Sequence, residues 1–309
     1  MTTISAWQPE RHYNVDEIQT VLRRDFPDLG ARTTVLIGEG MDNCAYLVDN
    51  TYVFRFPRRA IAANLIDSEI IALSHTALLL PISVPVPLFT GLVPAAAGWR
   101  YVGYRRLPGF TGCSIPLTLN DRKRLATDLG NFLRILHSIP IKSLVDAGLP
   151  QDTIGRLDIE KRTEMCLNRL MELQDIGFLA DTTELIKILN RPPTHYQNLG
   201  NCLVHGDLYS RHLLFNAERN LCGVIDWGDV HYGDVAVDLA VAHLVLPPQL
   251  HSDFLMAYGE VKTPVWQLAR LRAIWHSSLV AAYGTEIRDE NLIESARTAF
   301  DFIAPGSAV

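Results

Sequence analysis

No two of the five cysteines, at positions 44, 113, 166, 202 and 222, have C-x-x-C spacing. A zinc ribbon or a redox dithiol is therefore not expected, and an odd, scattered set fits reduced thiols in a cytoplasmic protein. Positive charge is also short, with 28 Lys and Arg against 34 Asp and Glu. Nucleic-acid binders carry the opposite balance, so no nucleic-acid partner is expected. The chain has no G-x-S-x-G, which removes the serine-hydrolase elbow, and no G-x-x-x-x-G-K-[ST], which removes the Walker-A loop. Residues 1–10 lack the basic start and apolar run of a secretory leader. Residues 76–99 carry no charge, yet Pro81, Pro85, Pro87, Pro94, Gly91 and Gly98 interrupt them. A helix cannot run through those breaks. The stretch reads as a helix end, a proline-fixed link and a buried strand, and no membrane span is expected.

Apolar residues make up 48% of 309, enough to bury a sizeable core. Apolar spacing predicts a helix over 15–26. Strands follow at 33–37, 45–48 and 52–56, the first two joined by the glycine-containing turn 38–43. A loop with Gly38 and Gly40 can lie over phosphates, because its backbone approaches closely and offers N–H groups. A helix is expected over 64–79 and a strand over 99–105. Leu107-Pro-Gly109 then breaks the pattern, and strands give way to helices. This places an N-terminal lobe at 1–104, a hinge at 105–109 and a C-terminal lobe at 110–309. Helices in the second lobe are expected at 121–138, with Asn120 as N-cap, within 154–190, and at 238–246, 252–258, 263–283 and 289–302.

The chemistry concentrates between Leu203 and Asp229. Leu203 and Val204 lead into the polar loop His205–Arg211. Leu213–Phe215 and Leu221–Ile225 are short β-forming runs joined by a turn. Such a hairpin can gather Asp207, His212 and Asp226 around one point. Two carboxylates and an imidazole there can hold a divalent cation and orient a hydroxyl, the minimum that phosphoryl transfer requires. Upstream, Arg55 lies on a strand beside Glu69 of the following helix, and such a pair can fix a cation that grips phosphates.

With these residues in order, the chain resembles the aminoglycoside phosphotransferase family, small-molecule kinases with a protein-kinase-like fold. The resemblance rests on Gly38-Glu-Gly40, Tyr52-Val-Phe-Arg-Phe-Pro57, Glu69, Tyr104-Arg-Arg-Leu-Pro-Gly109, Leu136-His-Ser138, His205-Gly-Asp207 with His212, and Ile225-Asp-Trp-Gly-Asp229. It spans about residues 25–300 and is nearest the aminoglycoside 2″- and macrolide phosphotransferase branches. The fold it implies is α+β and bilobal, with an antiparallel-sheet N-lobe and a mainly helical C-lobe. Asp207 is implied as the catalytic Asp at the acceptor hydroxyl. Asp226 and His212 are implied as holding Mg²⁺ or Mn²⁺. Gly38, Gly40, Arg55, Glu69, Tyr104, Arg105 and Leu107 are implied at the nucleotide, ATP or GTP.

Two departures stand out: His212 where Asn is usual, and Arg55 where Lys is usual. Mg²⁺ prefers oxygen donors, and a planar guanidinium is not a point charge. The acceptor expected is an aminoglycoside-type antibiotic or a related alcohol. Residues 240–252 contain no acid, which counts toward a macrolide or another weakly charged alcohol over a tightly held polycation, while Asp229, Asp234, Asp253 and Glu260 can still supply negative charge. A metal-dependent hydrolase built on His205, Asp207, His212 and Asp226 is the competing class, but it needs neither the glycine loop nor the Arg–Glu pair. Asp238 and His137 read as structural. The doublets Arg58-Arg59 and Arg105-Arg106 read as solvated faces. No obligate protein partner is expected.

Overall fold

Period-two alternation builds the first sheet. The computed structural model describes residues 9–40, 42–94, 98–194, 196 and 200–307. Helix α1 (Val15–Asp25) is N-capped by Asn14 and precedes β1 (Thr34–Glu39), β2 (Asn43–Val48) and β3 (Tyr52–Pro57). Helix α2 (Ala60–Thr76), β4 (Phe89–Leu92) and β5 (Arg100–Arg105) follow. The five strands form one antiparallel sheet in the order β1-β2-β3-β5-β4. One face of it buries Tyr46, Phe54, Phe56 and Tyr101 against Ile18 and Leu22 of α1. The other face packs Val102 and Tyr104 on Ile66 of α2 and leaves Ala45, Val53 and Arg55 facing an open cleft. Strand alternation thus puts Arg55 opposite the aromatic core.

Beyond β5 come the two-residue strand β6 (Phe110–Thr111), α3 (Leu119–Ser138), α4 (Lys142–Asp146), α5 (Ile159–Asp175) and α6 (Thr183–Leu189). Next are β7 (Cys202–Val204), β8 (Leu213–Phe215), β9 (Leu221–Val224) and β10 (His231–Gly233), then α7 (Ala236–Val245), α8 (His251–Tyr258), α9 (Thr263–Ile287) and α10 (Glu290–Ile303). Strand β8 lies between β6 and β9, while β7 pairs with β10. The main core joins α3, α7, α9 and α10 through residues such as Phe132, Leu239, Ile274 and Phe300, with Trp227 buried among them. The α+β fold with an antiparallel sheet and a helical region is therefore as the residues led us to expect.

Several local expectations need correction. Strand β4 is half exposed rather than buried: it is the sheet edge, and Thr90 and Leu92 face outward. Helix α3 is capped by Thr118, not Asn120, because Thr118 and Asp121 form a reciprocal capping box. The short helix α4 and strand β10 had no clear signal in the sequence. Arg58 is 9% exposed and no solvated-face residue. Residues 240–245 lie wholly inside α7, every one of them buried, so their lack of acids mostly describes the core rather than the acceptor's surroundings. Met41 of the glycine turn, residues 1–8 of the leader reading, and 95–97 of the uncharged stretch fall outside the described residues. Among the described residues no helix is long and apolar enough to cross a membrane.

Candidate active site

A cavity of about 260 Å³ opens between the five-stranded sheet and the β8–β9 hairpin. Ile37, Ala45 and Val53 roof it, Leu214 and Ile225 floor it, and Tyr104, Arg105, Arg106 and Leu107 close its back. The lining is mostly apolar at one end and carries Arg55 and Asp226 at the other, as suits a molecule with a flat apolar part and a charged part. The Arg106 N–H is already bound to the Thr51 carbonyl at 2.8 Å.

Arg55 joins the two halves of the molecule. Its Nη1 donates to Glu69 Oε2 at 2.7 Å, and its Nη2 donates to Asp226 Oδ1 at 2.7 Å. The Glu69 side chain is fully buried and pairs with Arg55, as expected of the helix partner that fixes it. The pair survives burial because each charge is partnered; removing one partner of such a pair costs about 3–5 kcal/mol. At the hairpin tip, Arg58 Nη1 donates to the Gly40 carbonyl at 2.6 Å and Nη2 pairs with Glu39 at 2.8 Å. Gly38 and Gly40 do not line the cavity; they follow Ile37, which does, and Arg58 tethers Gly40.

The loop between β7 and β8 is fixed from beneath. Asp238, fully buried on α7, accepts from the His205 N–H at 2.7 Å, the Gly206 N–H at 2.9 Å and His137 Nε2 at 3.2 Å. Gly206 has a φ of +90°, and a Cβ there would stand 2.2 Å from the Asp229 carbonyl oxygen, so only glycine fits. Buried His205 donates from Nε2 to the Ile225 carbonyl at 3.0 Å and accepts the Asp207 N–H on Nδ1 at 3.3 Å. Burial pushes its pKa down to about 4, which keeps it neutral for both roles.

Between the two carboxylates stands His212. Its Nδ1 lies 2.7 Å from the Asp207 carbonyl oxygen and donates to it. Nε2 is then the lone-pair nitrogen, and it faces Asp226 Oδ2 at 3.4 Å. That pair could share a cation, with the imidazole oriented by the backbone as metal-binding histidines usually are. Among the described residues no three His, Cys, Asp or Glu side chains converge as a metal cage. A two-donor site suits an ion that draws its remaining ligands from phosphates and water. Asp226 itself has a left-handed backbone, φ 61°, a strained conformation of the kind that collects at functional sites.

The two carboxylates differ electrically. Burial would raise Asp226, but Arg55, His212 and His205 outweigh it and hold the carboxyl well below the usual range. Burial pushes Asp207 up to about 6 despite His212, with Asp229 and Asp226 adding repulsion. One group is thus a permanent anion suited to a cation, and the other can exchange a proton near neutral pH.

A sheet-over-helices molecule with this cleft, an Arg–Glu pair above and two unlike carboxylates below defines a kinase-like phosphotransferase. The chain belongs to the phosphotransferase enzyme family APH, whose model matches residues 33–274. Among solved structures it is similar to an aminoglycoside 2″-phosphotransferase in complex with GDP and kanamycin. That likeness has a TM-score of 0.68 and 24% identity over 90% of this chain and 95% of that one. A mutant of aminoglycoside 2′-phosphotransferase-IIIa bound to GDP gives 0.67 and 26% over 92% and 95%. The macrolide 2′-phosphotransferase MphH of Brachybacterium faecium gives 0.56 and 20% over 92% and 98%.

Of the residues singled out in the sequence, Arg55, Tyr104, Arg105, Leu107 and Asp226 line one cavity. Asp207 and His212 meet it through the His212 imidazole. Sequence reasoning missed Arg58 as the tether of the glycine turn. It also missed Arg156, which binds Asp152 at 2.8 Å and also Asp229, and His276, whose Nδ1 lies 3.6 Å from Asp207 Oδ1. Arg156 and His276 sit in helical or loop segments remote in sequence, and no short motif marks them.

Proposed function

We propose that the protein transfers the γ-phosphate of ATP or GTP to a hydroxyl of a small molecule. The base lies against Arg105–Leu107 and the triphosphate runs toward Arg55 beneath the glycine turn. Asp226 and His212 would hold Mg²⁺ or Mn²⁺ there, and the ion would supply neutralisation of the phosphates' charge. Asp207 orients the acceptor hydroxyl in line with the γ-phosphorus and takes its proton as the bond to the leaving diphosphate loosens. Arg55, locked by Glu69, offsets charge on the departing side.

The observation that carries this reading is the Arg55 bridge from Glu69 to Asp226, 2.7 Å on each side, with Arg55 and Asp226 both lining the cavity beneath the sheet. A hydrolase would not require that bridge. Solved relatives in complex with kanamycin, gentamicin or streptomycin, together with a macrolide 2′-phosphotransferase, support a hydroxylated small molecule as acceptor.

Transfer of labelled phosphate from γ-labelled ATP or GTP, with wild type and Asp207→Asn compared, tests the reading. The variant is expected to lose roughly 10²–10⁴-fold in turnover while nucleotide affinity is retained. A fully active Asp207→Asn enzyme, or phosphate release from an ester without any nucleoside triphosphate, would reject it.

A further inference from the structure

The two carboxylates that repel Asp207 both have cationic partners. Asp226 is bound by Arg55 and faces His212, and Asp229 is bound by Arg156. Farther out, Asp152 is taken by Arg156 and Asp289 by Arg211. None of the residues outside the described set is Asp or Glu. A polycation approaching Asp207 would have to compete with Arg55 and Arg156 for them.

The opposite charge is available. Arg272 and His276 stand one turn apart on α9, so their side chains share a face. His276 reaches Asp207 at 3.6 Å, and its buried Nε2 has no hydrogen-bond partner. Arg272 makes no ion pair with any described residue, and its buried Nε is likewise unpartnered. Its place one turn from His276 sets it on the side of α9 that faces the loop carrying Asp207, and although burial lowers its pKa to about 10, it stays ionised at neutral pH. An unpaired buried donor of this kind is costly unless something binds it. Arg156 and Arg162 cannot substitute, because carboxylates and backbone carbonyls already occupy them.

Resting on the phosphotransfer reading above, we infer that the acceptor is an acid: a hydroxylated molecule whose carboxylate or phosphate binds Arg272 while its hydroxyl lies at Asp207. The spacing of the two side chains along α9 sets the acid about one helical turn, roughly 5–6 Å, from the reacting hydroxyl. The planar guanidinium suits either anion through paired N–H donors. His276, kept neutral by burial, fills the interval with a polar nitrogen able to bond the acceptor. This separates the protein in substrate class from relatives solved with kanamycin or gentamicin.

Calorimetric titration of enzyme loaded with Mg²⁺ and a non-hydrolysable nucleotide tests it, using matched pairs as probes. Gluconate is compared with glucitol, glucose 6-phosphate with glucose, and kanamycin serves as the polycation. The expected result is that at least one anion binds about 10- to 100-fold more tightly than its neutral twin. That preference should vanish in Arg272→Gln and persist in part in Arg272→Lys. Which pair shows it identifies the carboxylate or the phosphate as the group held. Equal affinity of both anions and their twins, an unchanged preference in Arg272→Gln, or tighter binding of kanamycin overturns the inference. Nucleotide uptake in the same samples checks folding and tests the phosphotransfer reading separately.

Discussion

Replacing Asp238 by Ala removes the one acceptor that three donors share. The His205 and Gly206 N–H groups and His137 Nε2 point at it from 2.7, 2.9 and 3.2 Å, and the carboxylate is fully buried. Each orphaned donor costs roughly 1–3 kcal/mol, and breaking a buried charged network typically costs about 3–5 kcal/mol in total. For a chain of 309 residues that corresponds to a fall in Tm of roughly 5–8 °C. The loop carrying Asp207 would also loosen, so turnover should fall further than nucleotide affinity, since none of these groups lines the nucleotide cavity. Asp238→Asn keeps the shape but presents an amide to the donors, and should lie between the two. The assay is thermal unfolding alongside steady-state kinetics. A variant that melts within about 2 °C of wild type and turns over normally would refute the claim that α7 positions the catalytic loop.

Gly206→Ala forces a methyl to within 2.2 Å of the Asp229 carbonyl at a φ of +90°, so we expect an enzyme that folds poorly or has lost most of its turnover; unaltered kinetics would contradict the geometry. Arg58→Ala frees the Gly40 carbonyl and Glu39, and should raise the nucleotide KM several-fold with little effect on Tm, as seen by steady-state kinetics. Burial lowers the pKa of His205, His231, His243, His251 and His276. An unfolded chain therefore binds more protons than the folded one once pH drops below about 6.5. Tm should fall from pH 7 toward pH 5, with Asp207, raised to about 6, opposing only in part. A flat or rising Tm across that range would show that the imidazoles are not buried as described.

The parts of the site that sit in short runs were legible before any coordinates. Asp207, His212 and Asp226 lie within twenty residues of one another, and a hairpin brings them together whatever surrounds it. Arg55 could be placed because strand alternation sends Phe54 and Phe56 to the core and leaves Arg55 on the other side. What could not be read is what long-range packing decides. Arg58 looked solvated because a sequence does not show that the chain folds back to place Glu39 and Gly40 over it. Residues 240–245 looked like a pocket wall because a wholly apolar helix gives no sign of which side it covers, and in fact it covers all sides. Arg272 and His276 share a helical face with apolar neighbours on an almost evenly apolar helix, so neither stood out until the loop carrying Asp207 was seen beside them.

The central claim is that Asp226 and His212 bring a divalent ion to a nucleoside triphosphate held under the sheet. Calorimetric titration of ATP and GTP into wild type and Asp226→Ala, each with and without Mg²⁺, measures that directly. Wild type should bind nucleotide far more tightly with the ion than without it, and Asp226→Ala should show weak binding that Mg²⁺ no longer improves. Indistinguishable titrations for the two proteins in the presence of Mg²⁺ would contradict the account.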